Sequence, residues 1–409
     1  MTTKPKRLAL CLEGTWNKPY QKKARDDGTQ VLKPANPLKL ARAILPWDAE
    51  TQMPQLTYYD SGVGALGKYD GLSNRIVGFV DSKFGGAWGA GFEANVEQAV
   101  TFLVNNYCHG DQVYVFGFSR GAAQARGLTR FLDWMGGIPS KRDAYFVPLY
   151  FRRYLSTSGH ADASKVTTAT GNAPDEPMVP IEIEMLGVWD TVMALGSRFL
   201  AKQKTSVAKR SFHVGERPAK CVRHARQALA IDEQRYDFRP EIWTGHHDRQ
   251  TLEQRWFPGV HSNVGGGYVK DGLANLAFQW LLSQANMFGL VTDDGFTKHY
   301  GPYAQAKLYQ STTFFYKTLE LVRFRRGRGV RQLVGHPTAA NLILDKSVIQ
   351  RIRSDPAKHK QLELYRPANV LEFLATHSDL PEYLASLGLD PVDPILPPDV
   401  QEVTARHVR

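Results

Sequence analysis

The stretch VYVFGFSRGAAQARGL, Val113 to Leu128, constrains the fold of this chain more than any other. A short apolar run closed by turn residues suits a buried strand, and the Ala-, Leu- and Arg-rich text after it suits a helix. Between the two stands Gly117-Phe118-Ser119-Arg120-Gly121. A serine at a strand-to-helix turn, with glycine two places either side, is the arrangement of an exposed attacking hydroxyl. The turn brings the helix against the incoming strand, so side chains at 117 and 121 would collide. It also aims the backbone N–H of Arg120, at a helix start, towards any oxyanion that forms. The competing reading of Ser119 is an ordinary turn with the serine as an N-cap.

Three further apolar runs end in polar residues. Leu8–Leu12 leads to Glu13-Gly14-Thr15, Ile181–Trp189 to Asp190, and Arg255–Val260 to His261. Helical patterns are read over Phe92–Tyr107, Ala122–Met135, Ala219–Ile231, Leu273–Phe288 and Ala340–Arg353. Strands alternating with helices predict an α/β fold: a mostly parallel sheet with helices on both faces. Ligands of such sheets sit at the carboxyl ends of the strands, where each of these polar groups falls. The expected organisation is a catalytic domain over 1–320 with long insertions at 16–90 and 136–180. A C-terminal extension over 321–409 packs on it and ends in a Pro-rich tail, 390–409. The polar text TSGHADASKVTTATGNAP reads as a mobile loop.

A serine hydroxyl needs a base, and the base needs an orienting carboxylate. In enzymes of this architecture the chain order is Ser, then Asp or Glu, then His. Asp190 in GVWDTV and His261 in WFPGVHSNVGGGY fit that order. Asp190 also suits a helix N-cap, and His261 a hydrogen-bonded structural role. Competing acids are Asp60 and Asp232; Asp232 lies among alternating charges that read as an ion-pair network. Among the 12 histidines, His224 falls in an expected helix and His246 and His247 in a polar loop. The second oxyanion donor is expected from the backbone N–H of Gly14 or Thr15, and Ser262 and Asn263 are expected to steady the histidine loop. Asp60, Asp190, Asp271 and His261 are conceivable ligands of a hard cation. Neither H-E-x-x-H nor regular D-x-D-x-D spacing occurs, so no catalytic metal and no cofactor are expected, while a structural Ca²⁺ stays open.

Composition closes off other classes. With 43% hydrophobic and 22% charged residues the chain is an ordinary globular one. Its three cysteines, Cys11, Cys108 and Cys221, form no zinc spacing and imply no disulfide framework. Leu8–Leu12 is too short for a signal-peptide core, and no stretch approaches the ~18 apolar residues of a membrane span. The expectation is a soluble chain made in the cytoplasm, compatible with export by a machine that needs no signal peptide. The net charge of +11 is partly gathered in RFRRGRGVR, as Arg323, Arg325, Arg326, Arg328 and Arg331. Such a run reads as a solvated basic loop, or as a patch for peripheral contact with an anionic membrane. No nucleic-acid module accompanies it.

Taken together, LEGTWN, YYDSGVG, GFSRGAAQARGL, GVWDTV, RHARQALAIDEQR, WFPGVHSNVGGGY, DGLANLAFQW, KSVIQRIR and YRPANV resemble a bacterial and fungal α/β-hydrolase family. That family contains the type VI secretion phospholipase effectors of the first lipase-effector class, and the resemblance spans roughly residues 7–370. It implies Ser119 as nucleophile, Asp190 as acid and His261 as base, and hydrolysis of phospholipid esters with release of fatty acid. One departure is Glu13-Gly14-Thr15, where the family usually has Asp-Gly-Thr. Two other readings stay open: an esterase or acyltransferase acting on small soluble esters, and a non-catalytic binding module that engages an acidic partner through Arg323–Arg331. An immunity or secretion partner is not identifiable from the residues.

Overall fold

The computed structural model describes residues 4–14, 22–61, 86–157, 175–192, 214–235, 238–311, 329–354, 364–377 and 379–389. The strands, in chain order, are β1 (Arg7–Leu12), β2 (Lys22–Ala24), β3 (Gln30–Leu32), β4 (Trp47–Asp48), β5 (Met53–Asp60), β6 (Gln112–Phe118), β7 (Ile183–Trp189), β8 (Val222–Ala230), β9 (Thr251–Phe257) and β10 (Leu342–Leu344). Eight of them form one sheet in the order β10-β9-β8-β7-β6-β1-β5-β4. Every pairing is parallel except that of β4 with β5. The short pair β2–β3 lies apart from the sheet.

The central strands are continuous apolar runs because both of their faces are covered. Side chains alternate across the sheet with period two. On one face Leu8, Leu10, Leu12, Val113 and Val115 pack under α2 (Gly86–Asn106, preceded in the chain by α1, Asn36–Ala43), α3 (Arg120–Met135) and α4 (Val147–Thr157). On the other, Ala9, Cys11, Tyr114, Phe116 and Trp189 pack with α1 and, beyond α5 (His261–Gly265), with α6 (Gly272–Met287). A third core lies at the β9–β10 edge. There Leu229, Trp256 and Leu344 meet Val348 and Ile349 of α8 (Lys346–Arg353, after the short α7, Asp294–Thr297), and Val370 of α9 (Ala368–Ala375).

Four expectations need correction. Ala219–Ile231, read as a helix, contains strand β8, and His224 with it. Its text is rich in Ala, Arg, Gln and Leu, all strong helix formers. A slot between β7 and β9 outweighs that preference, and the polar side chains find partners there: Arg226 Nε donates to Gln284 Oε1 at 2.6 Å and Gln227 Nε2 to Gln254 Oε1 at 2.9 Å. The segment 16–90 is more than an insertion, because it supplies β5 directly beside β1. Of the eight residues of β5 only Gln55 is buried, so no buried apolar run marks it. The helix expected over Ala340–Arg353 is only Lys346–Arg353, opened by Asp345, whose side chain accepts from the Ser347 N–H. Ahead of it Leu342–Leu344 adds β10 to the sheet edge, so the C-terminal segment extends the sheet as well as packing on it. The text read as a mobile loop falls almost wholly in 158–174, and with the tail 390–409 it lies outside the described residues.

Candidate active site

Seven neighbouring parallel strands point their carboxyl ends to one edge, and the site is assembled there. At the end of β6 the backbone of Ser119 takes φ 58° and ψ −118°. Such a conformation costs a non-glycine residue on the order of 1–3 kcal/mol. The strain is held by close backbone contact. A Cβ on Gly117 would lie 2.3 Å from the Gly121 carbonyl oxygen, and a Cβ on Gly121 would lie 2.3 Å from that of Leu12. The Ser119 N–H continues the ladder to the Trp189 carbonyl at 3.0 Å. Its hydroxyl makes no N-cap bond to α3, which removes the capping reading.

His261 opens α5, just beyond β9. Its Nε2 stands 2.8 Å from Ser119 Oγ, and its Nδ1 stands 2.7 Å from Asp190 Oδ2. An ionised carboxylate only accepts hydrogen bonds, so the imidazole proton sits on Nδ1 and Nε2 is left to accept from the serine hydroxyl. Two rings fix the imidazole: Phe118 at 4.7 Å between centroids, and Phe238 edge-on at 5.0 Å. The His261 N–H donates to Glu233 Oε2 at 3.2 Å. The neighbouring turn is tied by Asn263 Oδ1, which accepts from the N–H groups of Val260 and Tyr309. Burial pulls the imidazole below its ordinary pKa, while the bond to Asp190 works the other way.

Asp190 follows β7 with φ 42° and is wholly buried. Among the described residues its carboxylate accepts four hydrogen bonds. They come from His261 Nδ1, the Ala230 N–H at 3.0 Å, and two nitrogens of Arg331 at 2.5 and 2.9 Å. Burial alone would raise its pKa; the Arg331 charge and the hydrogen bonds outweigh burial and hold the group ionised, well below the usual carboxylate range.

The remaining expectations divide. Arg120 is the first residue of α3, and burial lowers its guanidinium pKa to about 9. The Gly14 N–H, expected to face an oxyanion, donates instead to Glu13 Oε2 at 3.2 Å. Glu13 is buried and needs donors; its other oxygen accepts from the Leu38 N–H at 3.3 Å. Thr15 lies outside the described residues. Arg331, read as part of a solvated basic run, is only 3% exposed and grips Asp190. Arg323, Arg325, Arg326 and Arg328 lie outside the described residues. Among the described residues Asp232 makes no ion pair of the kind expected: it accepts from the Gly259 N–H at 2.6 Å and the Tyr365 hydroxyl at 3.0 Å, and burial raises its pKa to about 6. It is Glu233, one residue on, that pairs with Arg235. His224 stacks on Phe288, at the opposite, amino-terminal end of β8. Asp271 pairs with Lys33 and Lys39. Among the described residues no three His, Cys, Asp or Glu side chains cluster as metal ligands. The sequence reading missed Arg331, Glu233 and Phe238 as parts of the site. Nothing in the text separates Arg331 from the other arginines of its run.

A mostly parallel eight-stranded sheet, a strained serine between strand and helix, and an imidazole and carboxylate beyond the following strands define an α/β-hydrolase-like protein. The family model described as T6SS, Phospholipase effector Tle1-like, catalytic domain matches residues 6–284, and the chain belongs to that family. An uncharacterized protein of Saccharomyces cerevisiae is 24% identical over 252 residues, which are 58% of this chain and 33% of that protein. Among solved structures, the chain is similar to an uncharacterized protein from Pseudomonas aeruginosa, with 17% identity, TM-score 0.40, and coverage of 99% of this chain and 62% of the other. It is also similar to the Tle1 effector bound to the VgrG spike of the type 6 secretion system, with 19% identity, TM-score 0.37, and coverage of 64% and 51%. The chain thus spans about a third of the yeast relative and about three-fifths of the Pseudomonas one. Among the described residues no helix is long and apolar enough to cross a membrane.

Proposed function

We propose that this chain is a serine hydrolase that cleaves carboxylic ester bonds of phospholipids through a Ser119–His261–Asp190 triad. The observation that carries this reading is the unbroken hydrogen-bonded series from Ser119 Oγ through the imidazole to the Asp190 carboxylate. Membership of the Tle1-like phospholipase family supports the choice of substrate class.

In the proposed reaction Ser119 Oγ attacks the ester carbonyl while His261 Nε2 takes its proton. The Asp190 carboxylate stabilises the imidazolium that results. The carbonyl oxygen becomes an oxyanion facing the Arg120 N–H at the start of α3; one such donor is worth about 3–4 kcal/mol in well-studied enzymes. The imidazolium returns the proton to the leaving alcohol, the lysophospholipid, and the fatty acyl group remains on Ser119. Water, deprotonated by the same imidazole, then releases the fatty acid. Gly14 serves as a second donor only after its N–H leaves Glu13. A secreted role with a carrier such as VgrG, the partner of the Tle1 effector, belongs to the same reading.

Incubation of the protein with vesicles of phosphatidylethanolamine and phosphatidylglycerol should release free fatty acid. Ser119→Ala should lower that rate at least a thousandfold, as removal of a triad nucleophile does elsewhere. Hydrolysis of short soluble esters with intact vesicles would move the substrate class to small esters. Absence of both, with no fluorophosphonate labelling of Ser119, would end the hydrolase reading.

A further inference from the structure

Arg331 lies in the C-terminal segment, beyond the residues matched by the family model. Its guanidinium is buried, and its two terminal nitrogens straddle the Asp190 carboxylate at 2.5 and 2.9 Å. The same nitrogens donate to two carbonyls, Ala230 at 2.7 Å and Phe238 at 2.6 Å. Ala230 ends β8, and Phe238 packs its ring edge-on against His261. The guanidinium therefore ties together the carboxylate, the strand beside it and the loop that covers the imidazole. Among the described residues its Nε is buried without a hydrogen-bond partner.

We propose, resting on the hydrolase reading above, that Arg331 is a positioning residue for the proton relay: it locks the Asp190 carboxylate in the orientation that presents Oδ2 to His261 and shares its negative charge. The first effect is geometric. A carboxylate offers about four acceptor directions. Two are taken by a planar fork and one by the Ala230 N–H, so the group cannot rotate and the remaining direction points at Nδ1. A bidentate guanidinium imposes such orientation where an ammonium does not.

The second effect is electrostatic. Among the described residues the charged groups around His261 are Asp190 after β7, Glu233 and Arg235 between β8 and β9, and Arg331 from the C-terminal segment. Phe118 and Phe238 supply the neutral walls. Glu233 is itself paired with Arg235. Asp190 would otherwise favour the imidazolium in the resting protein; with Arg331 on the same carboxylate that pull is weakened and His261 stays a free base to lower pH.

The test separates fork from charge. Arg331→Gln removes both; Arg331→Lys keeps the charge and loses the fork. The His261 titration is read by NMR of histidine-labelled protein in the Ser119→Ala background, with its resonance assigned by comparison with His261→Gln. Arg331→Gln should raise that pKa by roughly one unit, the scale set by a nearby charge. In the otherwise unaltered chain it should lower kcat 10- to 100-fold with KM within twofold. Arg331→Lys should keep the His261 titration near the parent value while kcat still falls about tenfold. Should Arg331→Gln not fold, Arg331→Lys decides: an unchanged kcat overturns the proposal, and a lowered kcat with unchanged titration upholds it. A folded Arg331→Gln protein with parent titration and parent kcat also overturns it. A moved His261 titration in a chain that neither hydrolyses esters nor takes a fluorophosphonate would uphold the coupling and sink only the hydrolase reading.

Discussion

At the scale of single residues the site is governed by who owns each charge. Asp190 is held ionised by Arg331 and His261, and His261 is kept neutral chiefly by burial. The pH dependence follows. A base must be unprotonated, and this imidazole titrates below its ordinary value of 6.5. The acid limb of kcat/KM should therefore have its midpoint below pH 6.5, and activity should be constant from there to pH 8; a stopped ester assay over pH 4.5–8 measures it. The linkage has the same sign. Between the depressed folded value and the ordinary unfolded one the unfolded chain binds the extra proton, so His261 withdraws stability as pH falls through that window. Ser119 and His261, which the structure brings to 2.8 Å, could be picked out as candidates because each closes an apolar run with glycine two places before it. Arg331 could not, since a buried guanidinium and a solvated one carry the same letter and only the tertiary partner differs.

At the scale of elements, the strand–turn–helix around Ser119 is rigid because backbone meets backbone. A Cβ at 121 has no flexible side chain to push aside: it meets the carbonyl oxygens of Leu12 and Glu13 at 2.3 and 2.5 Å. Gly121→Ala should shift α3 away from β1 and misplace the hydroxyl, lowering kcat/KM at least a hundredfold, the order expected for a misplacement near 1 Å. Fluorophosphonate labelling rates, with circular dichroism to show retained helix, would measure that loss. The same elements show what local text can tell. β1, β6 and β7 are apolar but for Arg7, Gln112 and Glu184, and announce themselves. β8 carries Arg223, Arg226 and Gln227 and reads as helix, since its identity comes from its neighbours in the ladder. β5 alternates irregularly at the far side of β1 and leaves almost no trace.

At the scale of the whole molecule, three cores divide the work. Two flank the central sheet, and the third joins β8 and β9 to the C-terminal helices. Ile349 is wholly buried in that third core. Ile349→Ala should destabilise the protein by about 2–4 kcal/mol, the usual cost of such a truncation. Denaturant titration followed by tryptophan fluorescence would register it, because Trp256 lies in the same core. The mostly parallel architecture was readable from strands alternating with helices. The closing of its edge by Leu342–Leu344 was not, because three residues carry too little pattern to stand out.

The order of the site's groups along the polypeptide has a consequence during synthesis. Serine, aspartate and histidine leave the ribosome well before Arg331 does. A chain released or stalled between His261 and Arg331 would carry the hydroxyl, the imidazole and the carboxylate, the last held by the Ala230 N–H and His261 but without the guanidinium fork. On the proposal made for Arg331, such a truncated chain should take up a fluorophosphonate more slowly than the full-length one.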